Sequence, residues 1–105
     1  MLGKVGDGFR ICMWQLNQTR LGCAAGALGV AGGALELAIN YANERTQFGK
    51  PISAFQLTRA KLGRMAMIIQ ASRQFSYEVA RLMGQGKGQM EASMVKAYVC
   101  KAAEW

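Results

Sequence analysis

Histidine is missing from the 105 residues, and that absence excludes a good deal of chemistry. No Ser-His-Asp triad, imidazole base or histidine-ligated zinc or haem can be assembled within the chain. No metal site is expected. Proline occurs once, and half the residues (51%) are apolar, so a disordered chain is not expected. Cysteine is sparse: Cys12, Cys23 and Cys100 stand alone, with no Cys-x-x-Cys pair. On one helix Cys12 and Cys23 would share a face about 16 Å apart, beyond disulfide reach. An odd, scattered set of this kind suits a reducing compartment. No basic segment followed by an apolar core opens the chain, so no secretory leader is expected. Runs of alternating polarity are scarce as well, whereas helix formers dominate. The fold class predicted is all-α.

Acidic residues are the scarcer charge. Thirteen Lys and Arg face six Asp and Glu, a formal net charge of +7. The basic residues are spread along the chain, as Arg59, Lys61, Arg64, Arg73, Arg81, Lys87, Lys96 and Lys101 show. A nucleic-acid surface needs a denser patch interleaved with aromatics, so solvated helix faces are expected instead. A positive field of this kind also favours an anionic ligand such as a CoA ester or a dinucleotide.

Residues 1–8 hold three glycines without periodicity and read as a lead-in loop, with Asp7 as N-cap of the first helix. That helix is predicted over about 9–43. Its second half, Leu21 to Ile39, is 19 residues with a single charge, Glu36, and two Gly-x-x-x-Gly pairs. That raises a membrane span. Against it, the stretch is mostly Gly and Ala, and Glu36 would cost about 2.5 kcal/mol or more in lipid. Each of its five glycines also weakens an isolated helix by about 1 kcal/mol relative to Ala. A buried central helix of a bundle is expected, not a membrane span. A second helix is predicted over about 53–85, with Ser53 as N-cap. At 100° per residue, Leu62, Met65, Ile68, Ile69, Phe75, Val79, Leu82 and Met83 form its apolar stripe, with Lys61 and Arg64 at the edge. Gly84 to Gly88 stops it. A third helix is predicted over about 91–105, with Met94, Ala97, Tyr98, Lys101 and Trp105 on one side. It meets no stop signal, so truncation is expected there.

Between the first two helices lies the most informative stretch, Asn43 to Leu57. It breaks the helical pattern with Gly49 and Pro51, two residues apart. Arg45 offers a planar fork of donors suited to phosphate. Phe48 offers a flat apolar face on which a heterocycle can lie. Gln56 can both donate and accept, as a ribose or a base edge requires.

The pattern Tyr41-x-x-Glu44-Arg45-x-x-Phe48-Gly49-Lys50-Pro51-Ile52, followed by Phe55-Gln56, resembles the signature of the acyl-CoA dehydrogenase C-terminal helical domain. The resemblance extends over essentially the whole chain. It includes Leu2-Gly3-x-x-Gly6-x-Gly8-Phe9, Thr19-Arg20 before the small-residue helix, and the Leu62-x-x-Met65-Ala66 run. It implies three long helices of a four-helix bundle, with the fourth absent. It also implies that the turn faces the FAD of a neighbouring subunit. Arg45 would then pair with the pyrophosphate, Gln47 would lie beside it, and Phe48 would contact the adenosine half. Phe55 and Gln56 would complete that wall. Asn17 and Arg20 match positions that line the acyl-CoA site; a bundle salt bridge is the alternative role for Arg20.

Departures from the family pattern limit what the chain can do by itself. The resemblance implies an amino-terminal helical domain, a middle β-domain and a downstream Tyr-Glu-Gly segment carrying the catalytic glutamate, none of which is present. Some members place that glutamate just before the arginine matched by Arg20, where this chain has Thr19. Leu62-Gly63-Arg64-Met65 replaces the more usual Leu-Ala-Asp-Met. No catalytic residue is therefore expected in the chain. The expectation is an inactive fragment of an FAD-dependent acyl-CoA dehydrogenase, which converts an acyl-CoA to the enoyl-CoA. That parent would be a homo-oligomer, expected to be a tetramer, in the bacterial cytoplasm or mitochondrial matrix, with an electron acceptor such as an electron-transfer flavoprotein. The alternative is a stand-alone, non-catalytic helical interaction module. A nucleic-acid binder would need affinity that falls steeply with salt.

Overall fold

A computed structural model describes residues 2–105; Met1, the first residue of the expected lead-in loop, lies outside the described residues. The chain order is α1 (Gly8–Glu44), β1 (Thr46–Gln47), β2 (Lys50–Pro51), a 3-10 turn (Ile52–Ala54), α2 (Gln56–Gly84) and α3 (Gln89–Ala103). At 1.5 Å per residue the 37 residues of α1 run about 55 Å, which accounts for most of the 71 Å long axis.

Each helix end has a local cause. Asp7 holds the N-cap position of α1 but makes no side-chain cap bond. Its carboxylate is engaged elsewhere, accepting from the Lys4 N–H at 3.1 Å and pairing with Arg10 at 3.3 Å. Ser53, expected to cap α2, lies instead within the 3-10 turn, and Phe55 holds the N-cap position. The reason is Pro51, which brings the chain out of the hairpin extended (φ −57, ψ 145) and leaves one tight turn before the helix settles. At the other end of α2, the Lys87 N–H bonds the Leu82 carbonyl and the Gly86 N–H bonds that of Met83, both at 3.0 Å. This is a Schellman closure with Gly86 at positive φ (+74). Gly88 follows at φ +83, with its α-carbon so close to Leu82 that a Cβ would meet Leu82 Cβ at 2.9 Å. Released by Gly88, α3 starts at Gln89, two residues before the expected Glu91.

The core lies where all three helices meet. Ala24 of α1, Val79 of α2 and Ala92, Val95 and Val99 of α3 are buried together, with Leu21, Leu28, Phe75 and Met83 packed around them. Ala92, Val95 and Val99 recur at helical spacing and form the inner face of α3. The Met94, Ala97, Tyr98, Lys101 and Trp105 side lines an open groove with Ile68 and Ala102. On α2 the buried set is Ile69, Ser72, Ser76 and Val79. Two serines thus occupy the centre of the stripe. The Ser76 hydroxyl donates to the Ser72 main-chain carbonyl at 2.8 Å, and no buried side-chain nitrogen or oxygen among the described residues lacks a partner. Arg64, at the stripe edge, places its guanidinium over the Trp105 ring at 4.1 Å.

The expectation of a buried α1 needs correction. Only Ala24 and Ala42 of this helix are buried, and Val30 and Leu37 are more than two-thirds exposed. With two neighbouring helices on one side, the rest of its surface has nothing against it among the described residues. A Cβ added at Gly22, Gly26, Gly29, Gly32 or Gly33 would meet nothing within 4 Å. By length and composition alone α1 could cross a membrane. Arg59, Lys61, Arg64, Arg73, Arg81, Lys87, Lys96 and Lys101, by contrast, are exposed, as expected of solvated helix faces. Arg81 pairs with Glu78, and Lys101 with Glu104, each at 2.6 Å. The hydrogen bond from Arg81 holds the Glu78 carboxyl below its usual value.

Candidate cofactor turn and ligand cluster

The segment between α1 and α2 is a two-residue hairpin pinned at its base. The Arg45 N–H still bonds the Tyr41 carbonyl at 2.9 Å as α1 ends, and the Arg45 carbonyl accepts from the Ile52 N–H at 2.8 Å. Thr46 faces Pro51 and Gln47 faces Lys50 in an antiparallel pair. The two residues at the tip, Phe48 and Gly49, have φ of +51 and +77. Two positive φ values are what a type I′ hairpin requires, and Asn, Asp or Gly ordinarily supply them. Phe48 is the one non-glycine residue at positive φ among those described.

Phe48 holds that strained conformation while 93% exposed. Its contact within the chain is edge-to-face with Phe55, centroids 6.4 Å apart and planes at 81°. Lys50 lies over the Phe55 ring at 4.5 Å. Phe55 is half-buried at the N-cap of α2, and Gln56, the first helical residue, is exposed beside it. Arg45 and Gln47 are exposed, and no ion pair among the described residues involves Arg45. The turn therefore carries an exposed guanidinium, an exposed amide and an exposed ring on one pinned segment. In chemical type, a guanidinium suits a phosphate group and an exposed aromatic ring suits a heterocycle.

Backbone strain at Phe48 is about 1–2 kcal/mol, and an aromatic edge pair returns about 0.5–1.5 kcal/mol, so the two nearly cancel. Phe48→Asn is accordingly expected to change stability by less than about 1 kcal/mol, since Asn tolerates the left-handed region. Denaturant unfolding measures this directly. A loss above about 2 kcal/mol, the size of a core truncation, would make the ring a structural plug instead.

Asn17 and Arg20 form a second cluster, on the other half of α1. Both are half-buried. Arg20 Nη1 donates to Asn17 Oδ1 at 2.7 Å and to Ser93 Oγ of α3 at 2.8 Å. No bundle salt bridge forms among the described residues. The fold does not bring this pair to the turn: Arg20 and Arg45 are separated by about 37 Å of helix. One partner was missed in the sequence: nothing local to Ser93 announces a bond to a residue 73 positions away.

The profile of the acyl-CoA dehydrogenase C-terminal domain matches residues 6–105. The chain belongs to the acyl-CoA dehydrogenase family. An acyl-CoA dehydrogenase of Bacillus subtilis is 48% identical over 104 residues, which is 98% of this chain and 27% of that protein. A glutaryl-CoA dehydrogenase of Desulfococcus multivorans is 46% identical over 87 residues, covering 83% of this chain and 22% of its own length. The solved structure of butyryl-CoA dehydrogenase from Megasphaera elsdenii superposes with a TM-score of 0.94 at 41% identity, over 97% of this chain and 27% of that one. The chain thus spans about a quarter of these acyl-CoA dehydrogenases. The superposition takes in α1, so this apolar helix is an element of that family's fold.

Proposed function

We infer that the chain acts as the C-terminal helical part of an FAD-dependent acyl-CoA dehydrogenase, and that its hairpin turn holds the FAD of a neighbouring subunit. The observation that carries this is Phe48: an exposed residue kept at positive φ, near an arginine that has no ion pair among the described residues. Strain of this kind persists where function uses it. FAD held there would supply the hydride acceptor for the β-carbon of an acyl-CoA. The chain's own residues bind and orient. Arg45 takes the pyrophosphate with Gln47 beside it, Phe48 backs the adenosine half, and Phe55 and Gln56 close the wall. Asn17 and Arg20, far along α1, line the acyl-CoA site. The distance between the clusters suits two different ligands in an oligomer, where one subunit's turn reaches another's cofactor.

The open grooves are where the remaining polypeptide and further subunits pack in a homo-oligomer. One is lined by Gly29, Gly32, Gly33 and Tyr77, the other by Ile68, Tyr98 and Trp105. Electrons leave to an acceptor of the electron-transfer-flavoprotein class. One similar chain, 42% identical with a TM-score of 0.93, was solved in work on the electron transferring flavoprotein of Acidaminococcus fermentans. The relatives include bacterial and mitochondrial proteins, so the bacterial cytoplasm or mitochondrial matrix is the proposed location. Anaerobic mixing of the full-length, FAD-loaded protein with saturated acyl-CoAs tests the function. The flavin absorbance should bleach as enoyl-CoA forms. A flavin that stays oxidised with short, long, branched and dicarboxylic acyl-CoAs alike would contradict it.

A further inference from the structure

Arg20 is a half-buried cation without a counter-ion among the described residues. Both of its partners are neutral, and both converge on one nitrogen: Nη1 donates to Asn17 Oδ1 at 2.7 Å and to Ser93 Oγ at 2.8 Å. Neither Nε nor Nη2 has a partner among the described residues. Those two nitrogens form the edge of the guanidinium that matches both oxygens of a carboxylate. Asn17 sits three residues back on the same helix, so by itself it would move with Arg20. Ser93 comes from α3 and ties the fork to a second helix. The serine has no evident packing role: it is exposed, while Ala92, Val95 and Val99 make the inner face of α3. A charge withdrawn partly from water and given only neutral partners is poised for an anion.

We propose that Ser93 is a positioning residue: with Asn17 it grips Arg20 by Nη1 and so presents the Nε–Nη2 edge to a carboxylate that completes the acyl-CoA site. The inference rests on Arg20 lining that site. The carboxylate has two sources. It is either the free carboxylate of a dicarboxylic acyl-CoA or an Asp or Glu side chain from the rest of the full-length protein.

The test uses the full-length, FAD-loaded protein with butyryl-CoA and glutaryl-CoA as paired substrates. Ser93→Ala should lower kcat/KM about tenfold, the size of one hydrogen bond to a charged group, with unchanged Tm and FAD content. Ser93→Thr, which keeps the hydroxyl, should recover most of it. A loss confined to glutaryl-CoA assigns the carboxylate to the ligand; an equal loss on both assigns it to the protein. Wild-type kcat/KM in Ser93→Ala, beside a large loss in Arg20→Gln, would overturn the positioning role and leave Arg20 in the site. Wild-type values in Arg20→Gln as well, or no turnover of either substrate by the unmodified protein, would overturn the site reading and this proposal with it. A Ser93→Ala loss that tracks a fall in Tm and that threonine does not rescue would make the bond a structural tie, and would also overturn it.

Discussion

Replacing Arg45 by alanine in the full-length protein should weaken FAD binding by about ten- to a hundredfold, the equivalent of about 1.5–3 kcal/mol for one charge-assisted contact. The variant isolates the side chain unusually well. What Arg45 gives the fold is backbone: its N–H bonds the Tyr41 carbonyl and its carbonyl accepts from the Ile52 N–H. Alanine keeps both. The side chain is exposed and makes no ion pair among the described residues, so its removal should leave Tm of the apo-protein nearly unchanged. Arg45→Lys should recover only part of the affinity, because an ammonium cannot present a planar fork to two phosphate oxygens. Titration of the apo-protein with FAD, followed by flavin fluorescence, reads all three forms. Equal affinity in wild type and Arg45→Ala would reduce Arg45 to a turn residue.

An all-or-none result is expected for the 105-residue chain by itself. Supplied with FAD and a saturated acyl-CoA, it should show no turnover above FAD alone, whereas enzymes typically accelerate their reactions by on the order of 10⁶-fold or more. An α-proton must go to a base held in a closed site. Histidine is absent, and the two large apolar grooves are lined without a carboxylate. At the position before Arg20 stands Thr19, whose hydroxyl donates to the Leu16 carbonyl at 3.1 Å. A neutral hydroxyl committed to its own helix is no base. Steady-state assay with a catalytic acceptor dye measures this, and enoyl-CoA formation above the FAD control would show that a base had been overlooked.

The long-range plan of the fold was legible because its signals are local and strong. Helix-forming runs, one Gly-Pro break and a Gly-rich stop define three helices to within a few residues. Starts were less legible than stops. Gly86 and Gly88 hold conformations that only glycine adopts freely, whereas Ser53 is a good capping residue overridden by the geometry of Pro51. The burial of Ser72 and Ser76 was hidden from a search for apolar stripes, since what matters there is small volume with an internal hydrogen bond. The exposure of α1 could not be read either, because an apolar helix does not say how many neighbours it has. Of the candidate residues, those in the turn were visible as types and spacing, while their geometry was not. A phenylalanine at positive φ and a lysine over Phe55 are outcomes of the hairpin register.

In the proposed function this turn reaches the cofactor of another subunit. Determining the structure of the full-length, FAD-loaded protein tests it most directly. The Arg45 guanidinium is expected at hydrogen-bond distance, about 2.7–3.2 Å, from the FAD pyrophosphate of a neighbouring subunit, with the Phe48 ring against the adenosine. A turn lying in solvent, or packed against protein with the pyrophosphate held by other residues, would contradict it.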